Sequence, residues 1–176
     1  MSEIYPHRFE AEIEKFGVGK ARKIWYNVLM LPGALAADLP LRKYPRLRVE
    51  GEIADVPISN AFMPTGDGRH YVIVAPNVLK DGGVGLGDRV EMRFAVADQD
   101  HVDVPGALVA ALGADAGASR NWQALTPGKK RMLAQHVASA KTPGTQAKRV
   151  GEALEALVFF KADLRLWRKA RAARPD

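Results

Sequence analysis

The sequence predicts an α+β protein, a small antiparallel β-barrel of six or seven strands followed by a C-terminal helical bundle. Three observations carry that prediction. Before residue 105, short runs alternate apolar and polar side chains, the period of a half-buried strand. Clusters of Gly, Pro and Asp separate those runs as turns. After residue 105 the apolar spacing changes to that of amphipathic helices. The domains are accordingly read as 1–104, the small barrel, and 105–176, a basic helical domain.

His7 to Phe16 reads as the first strand, with Phe9, Ala11 and Ile13 on one side and Glu10, Glu12 and Glu14 on the other. Ile24 to Leu31 is rich in aromatic and branched residues and stops at the turn pair Pro32-Gly33. Ala34 to Leu41 is alanine-rich and reads as one helical turn. Leu47 to Ile53 alternates with Leu47, Val49, Gly51 and Ile53 inward. Val56 to Met63 follows after only Ala54-Asp55, the gap of a two-residue hairpin. Pro64-Thr65-Gly66-Asp67-Gly68 has turn chemistry, and His70 to Ala75 is the returning strand. Asn77 to Lys80 starts a short helix that the glycines at 82, 83, 85 and 87 end, leading into a strand from Arg89 to Ala97. Val102 to Val104 is read as a last short strand.

The helical half opens at Pro105 to Leu112, with Gly113 just past its end. Asn121 to Leu125 reads as a further short turn. Thr126-Pro127 is a cap followed by Pro at the first helical position, and Met132, Leu133, His136, Val137 and Ala140 form an apolar stripe behind it. Thr142-Pro143-Gly144 is taken to end that helix. A second runs from Thr145 to Phe159 with Val150, Leu154, Leu157 and Val158 inward, and a third covers Ala162 to Ala173. On the third, Leu164 and Trp167 face the core or its edge, while Arg165, Arg168, Lys169 and Arg171 face out.

The net charge of +6 is unevenly placed. Residues 1–119 hold 13 basic and 16 acidic side chains, whereas residues 120–176 hold 13 basic and four acidic. Such asymmetry points to an anionic partner or to a helical face kept in water by Lys and Arg. The absence of cysteine excludes disulfides, thiol catalysis and thiolate metal sites. The acidic N-terminus lacks the apolar core of a secretory signal, and no apolar run approaches the ~20 residues that span a bilayer. A cytoplasmic protein with no membrane span is expected.

Reactive constellations are sparse. None of His7, His70, His101 and His136 has zinc-site spacing to another ligand. Counting a calcium loop from Asp98 puts Asp103 and Val109 where Gly and Glu are needed. Gly83-Val84-Gly85-Leu86-Gly87 has Asp88 where a dinucleotide fingerprint needs its last glycine, and a strand follows it instead of a helix. Gly17-Val18-Gly19-Lys20-Ala21 lacks the first glycine and the terminal hydroxyl of a phosphate loop. No G-x-S-x-G occurs, so a hydrolytic nucleophile has no candidate. No cofactor, no metal and no catalytic residue are expected, and the chain reads as a non-enzyme.

Trp25 and Leu31-Pro32, then Val49-Glu50-Gly51-Glu52-Ile53, Pro57, Thr65-Gly66-Asp67-Gly68, Val78-Leu79-Lys80, Gly87-Asp88-Arg89-Val90 and Pro105 form one ordered pattern. Leu125-Thr126-Pro127, Lys130-Arg131, Ala140-Lys141-Thr142 and Lys148-Arg149-Val150 form a second. On these, the sequence resembles a bacterial family in which a small β-barrel domain of unknown function precedes a YdeI/OmpD-associated, bacteriocin-protection helical domain. The resemblance runs over residues 8–160. It implies a double-split β-barrel, related in fold to small transcription-regulator barrels, and then a helical bundle. No enzyme activity is established for the family, so it transfers no catalytic residue. Many members carry a Thr-Arg pair where this chain has Thr145-Gln146, and the basic extension after Phe160 lies beyond the pattern.

The expected function is that of a binding or stress and envelope-protection factor, with Trp25, Arg69 and His70 as rim residues bordering the main turn of the barrel. The alternative is a nucleic-acid-binding regulator. Lys161, Arg165, Arg168, Lys169 and Arg171 would neutralise phosphates there, and Trp167 would stack on a base. An uncharacterised enzyme is the third reading.

Overall fold

The computed structural model describes residues 4–173, in two compact units, one ending at Gln99 and the other starting at Asp100. The first unit contains strands β1 (His7–Glu12), β2 (Glu14–Val18), β3 (Ile24–Met30), β4 (Leu47–Ile53), β5 (Val56–Pro64), β6 (His70–Ile73) and β7 (Arg89–Val96). Two short helices, α1 (Gly33–Ala37) and α2 (Pro76–Gly82), interrupt them. All pairings are antiparallel, in the order β1-β7-β4-β5-β6-β3-β2.

The first and last strands of that order are consecutive in the chain, separated only by Ile13. The sheet therefore curls round on itself, and the predicted single strand His7–Phe16 is one bent run serving both of its edges. Ile13 is fully buried at the bend, where its N–H donates to the Asp88 carbonyl and its own carbonyl accepts from Gly87 N–H, both at 2.8 Å. The opposite corner is β5, which pairs with β4 from Val56 to Phe62 and then with β6 through Met63 and Pro64. At that corner Asn60 Nδ2 donates to the Ile73 carbonyl at 2.8 Å.

The inward residues of β4 are the predicted ones: Leu47, Val49, Gly51 and Ile53 are all buried. Gly51 is required by space. A Cβ there would lie 2.0 Å from the Arg93 carbonyl oxygen and 2.8 Å from Phe94 Cβ, so β4 and β7 pack as closely as they do only because no side chain intervenes. Beside it Phe62 and Phe94 meet edge to face at 5.2 Å, and Phe9 stands edge-on to Phe94 at 6.3 Å. The β4–β5 hairpin turns through Ala54 and Asp55, both at positive φ, as a two-residue turn demands.

The second unit holds α3 (Gly106–Ala114), α4 (Ala116–Gln123), α5 (Pro127–Ala138), α6 (Pro143–Phe159) and α7 (Leu164–Ala172). Side chains cap four of them: Asp115 accepts from Ala118 N–H, Thr126 from Lys129 N–H, Thr142 from Thr145 N–H, and Asp163 from Arg165 and Leu166 N–H. The core consists of Leu108, Leu112, Leu133, Val137, Leu157, Leu164, Trp122 and Trp167 over a layer of alanines.

Five expectations are corrected here. Val102–Val104 is not a strand; Val102 and Val104 lie half-buried against the helical core and find no ladder partner. Asn121–Leu125 is the end of a full helix that starts at the Asp115 cap. Thr142-Pro143 does not end a helix but begins α6, using the same cap-then-Pro device as Thr126-Pro127. The α5 stripe turns on Leu133, Ala134 and Val137, leaving Met132 exposed, and Val158 of α6 is likewise exposed. No helix among the described residues is long and apolar enough to cross a membrane.

Candidate functional site

The three predicted barrel residues are not brought together. Met30 is the register partner of Tyr71, and Leu31 N–H donates to the His70 carbonyl, so His70 lies beside the end of β3. Trp25 lies six residues back along the same strand, about 20 Å away at ~3.3 Å per residue. Arg69 is tied into its own turn. Its Nη2 and Nε reach Asp67 Oδ2 at 2.9 and 3.1 Å, and its backbone N–H donates to Oδ1 at 3.2 Å. The Thr65 hydroxyl also donates to Asp67. The Arg69 side chain, then the Thr65 hydroxyl and the Arg69 N–H, hold the Asp67 carboxyl well below the usual carboxylate range. This is a self-satisfied turn that offers little charge to a ligand. His70 is half-buried with Nδ1 enclosed and unpartnered among the described residues. Next to it Tyr71 is buried against Phe16 at 4.8 Å, and burial, followed by the nearby Tyr26, pushes its phenol up.

The basic residues of the last helix fare differently. Trp167 is only 6 % exposed and its Nε1–H donates to Glu155 Oε2 at 2.9 Å, so its ring is core and has no face for a base. Arg171 covers it from 5.4 Å. The role of Trp167 as a stacking platform is thereby withdrawn, and its role as a core-facing residue stands. Lys161 sits in the turn between α6 and α7 at positive φ, where the Ala162 N–H closes back on the Ala156 carbonyl at 2.8 Å. Arg165, Arg168, Lys169 and Lys161 are exposed.

A cleft of about 470 Å³ opens on this unit between α5 and the start of α7. Met132, Ala162 and Leu164 give it an apolar floor, and Lys129, Arg165 and Arg168 give it basic walls. Asp163 also lines it, but its carboxylate is committed to the α7 N-terminus. The N–H groups of Leu166 and then Arg165 hold its pKa below the ordinary value. His136, on the α5 wall, is anchored by Glu152 of α6 at 2.8 Å, with both side chains largely shielded from solvent. Arg149 Nη1 donates to the His136 carbonyl at 3.1 Å and to Ser139 Oγ at 2.6 Å, which fixes that end of α5. The α5 wall is thus rigid, whereas Lys129 and Arg168 make no ion pair among the described residues. Sequence reading missed this cleft, because its two walls come from segments about 30 residues apart and only their packing creates it.

In the Asp98–Asp103 loop, His101 Nε2 meets Asp103 Oδ1 at 2.8 Å. Among the described residues no group of three or more His, Cys, Asp or Glu side chains is placed to hold a metal ion.

Two family models match the chain. Residues 9–94 match the domain of unknown function DUF1905, and residues 101–158 match the bacteriocin-protection, YdeI or OmpD-associated domain. The chain thus has the two-domain arrangement expected from its sequence, a DUF1905 match followed by a YdeI/OmpD-associated match. No curated protein matches it. The DUF1905 match runs from within β1 to within β7, and the YdeI/OmpD-associated match covers α3 to α5 and α6 up to residue 158. Helix α7 lies beyond the second match, so one wall of the cleft is within the YdeI/OmpD-associated domain and the other is outside it.

Proposed function

We propose that the protein is a non-enzymatic binding factor in stress or envelope protection, and that its helical unit takes an anionic ligand with an apolar portion in the α5–α7 cleft. The observation that supports this is the pairing of an apolar floor with three basic side chains, two of which, Lys129 and Arg168, make no ion pair among the described residues. A site of this volume suits a small molecule or the end of a peptide. The family's bacteriocin-protection label agrees with a role exerted by binding.

The test is a thermal-shift series with octanoate, octyl phosphate and octyltrimethylammonium, followed by calorimetry. A ligand at about 100 times its Kd stabilises the folded state by about 2.7 kcal/mol. The two anions should raise Tm, the cation should not, and Lys129→Gln with Arg168→Gln should remove the effect. Equal shifts from anion and cation, or none, would overturn the reading. The nucleic-acid alternative now rests on charge alone. It requires DNA binding that survives physiological salt and is lost in an Arg165→Ala, Arg168→Ala, Lys169→Ala variant.

A further inference from the structure

A second surface, on the sheet unit, lies on the β2–β3 ribbon that carries Trp25. β6 pairs with β3 only from Val28 to Met30, with one further bond from Val74 N–H to the Asn27 carbonyl. β2 continues beside β3 to Val18↔Ile24. From Tyr26 outward the two strands therefore form a ribbon with no third strand beside it among the described residues. Ile24 lies four residues past Val28, a reach of about 13 Å.

The ribbon is apolar on both faces. Val18 and Ile24 are cross-strand partners, 36 % and 56 % exposed. Trp25 points to the opposite face and is 60 % exposed. Its ring lies across Gly17, where an added Cβ would come within 3.2 Å of it. The charge around these side chains is one-sided. Lys15, Lys20, Arg22 and Lys23 are all exposed, Lys23 Nζ lies 5.8 Å from the Trp25 ring centroid, and Glu14 is the only carboxylate from residue 14 to 28.

We infer that this ribbon docks the protein on an anionic lipid surface. Lipid phosphates complement the Lys and Arg side chains, and an indole settles at headgroup depth. The acyl boundary, reached within about 5–10 Å, takes the aliphatic side chains. A nucleic acid would satisfy the cations and the Trp25 ring but would give Val18 and Ile24 nothing to bury against. The aliphatic pair therefore decides for lipid.

Trp25 is also the reporter, since Trp122 and Trp167 are only 7 % and 6 % exposed. The full chain is mixed with phosphatidylcholine vesicles, with and without phosphatidylglycerol, and with a single-stranded oligonucleotide. Co-sedimentation with the anionic vesicles alone, accompanied by a blue shift of tryptophan emission, is the expected result. Ile24→Ser with Trp25→Ser should abolish both while leaving the melting temperature near that of the parent, because both side chains are exposed. Lys20→Gln with Arg22→Gln and Lys23→Gln should weaken partitioning about 100-fold, given the contribution of each cation near such a surface. Three results would overturn the inference: no vesicle binding, binding unaffected by either variant, or tryptophan quenching by the oligonucleotide with no blue shift on vesicles.

Discussion

The sheet unit fills its interior with Phe9, Phe62, Phe94, Met92 and Ile53, whereas the helical unit brings its helices together over Ala118, Ala134, Ala153, Ala156 and Ala162. Charge divides them too. Thirteen basic and thirteen acidic residues balance up to Gln99, and thirteen face only seven from Asp100 onward. The first unit is held by large interlocking side chains around a backbone approach that only glycine allows. The second is held by small residues that admit helices closely, with two buried tryptophans beside them. Truncation should therefore hurt the one and enlargement the other.

The largest effect expected is from Gly51→Val, which forces a branched side chain into the Arg93 backbone. Loss of more than about 4 kcal/mol should unfold the sheet unit, seen as loss of its chemical-denaturation transition. Next comes Ala156→Leu in the fully buried alanine layer, expected to cost about 2 kcal/mol by overpacking. Here Trp122 and Trp167 emission should report the loss while the sheet transition stays put. If Ala156→Leu proves neutral, the helical unit is not close-packed and the contrast between the units fails.

A smaller gain is expected from replacing Ala54-Asp55 by Asn-Gly. Both residues hold positive φ, which costs residues other than Gly and Asn, so the sheet unit should gain about 1 kcal/mol. The smallest effect concerns pH. Asp163 has a depressed carboxyl pKa in the fold, so its contribution is present above its ordinary value of 3.8 and is lost as pH falls through the lower folded value. Asp163→Asn keeps the cap and should flatten the acid limb of the helical transition, while the sheet transition keeps its own pH profile.

Much of the sheet unit was legible because alternation and turn chemistry agree there, as at Leu47–Ile53, Ala54-Asp55 and Val56 onward. The bend at Ile13 was not, although a signal existed. The inward phase set by Phe9, Ala11 and Ile13 slips at Phe16, which packs on Tyr71. In the helical unit Thr142-Pro143 was misread because Gly144 suggested a stop, and the Asp115 cap was overlooked without a strong apolar stripe behind it. Trp167 could be placed inward by its spacing from Leu164, yet its basic neighbours also suggested a binding face; its burial and its bond to Glu155 separate the two readings. The α5–α7 cleft lay beyond any sequence pattern, since no local spacing encodes it.

The seam at Ile13 has a temporal consequence. β1 is the first strand of the sheet to leave the ribosome, but its partner β7 is the last, with Arg8 opposite Arg93. Every other ladder joins segments nearer in sequence. β1 therefore waits without its partner until the rest of the sheet is made, and closing that seam is the slow, non-local step of assembly. A nascent chain stalled before residue 89 would present the inward face of β1, Phe9 included, to whatever stands nearest.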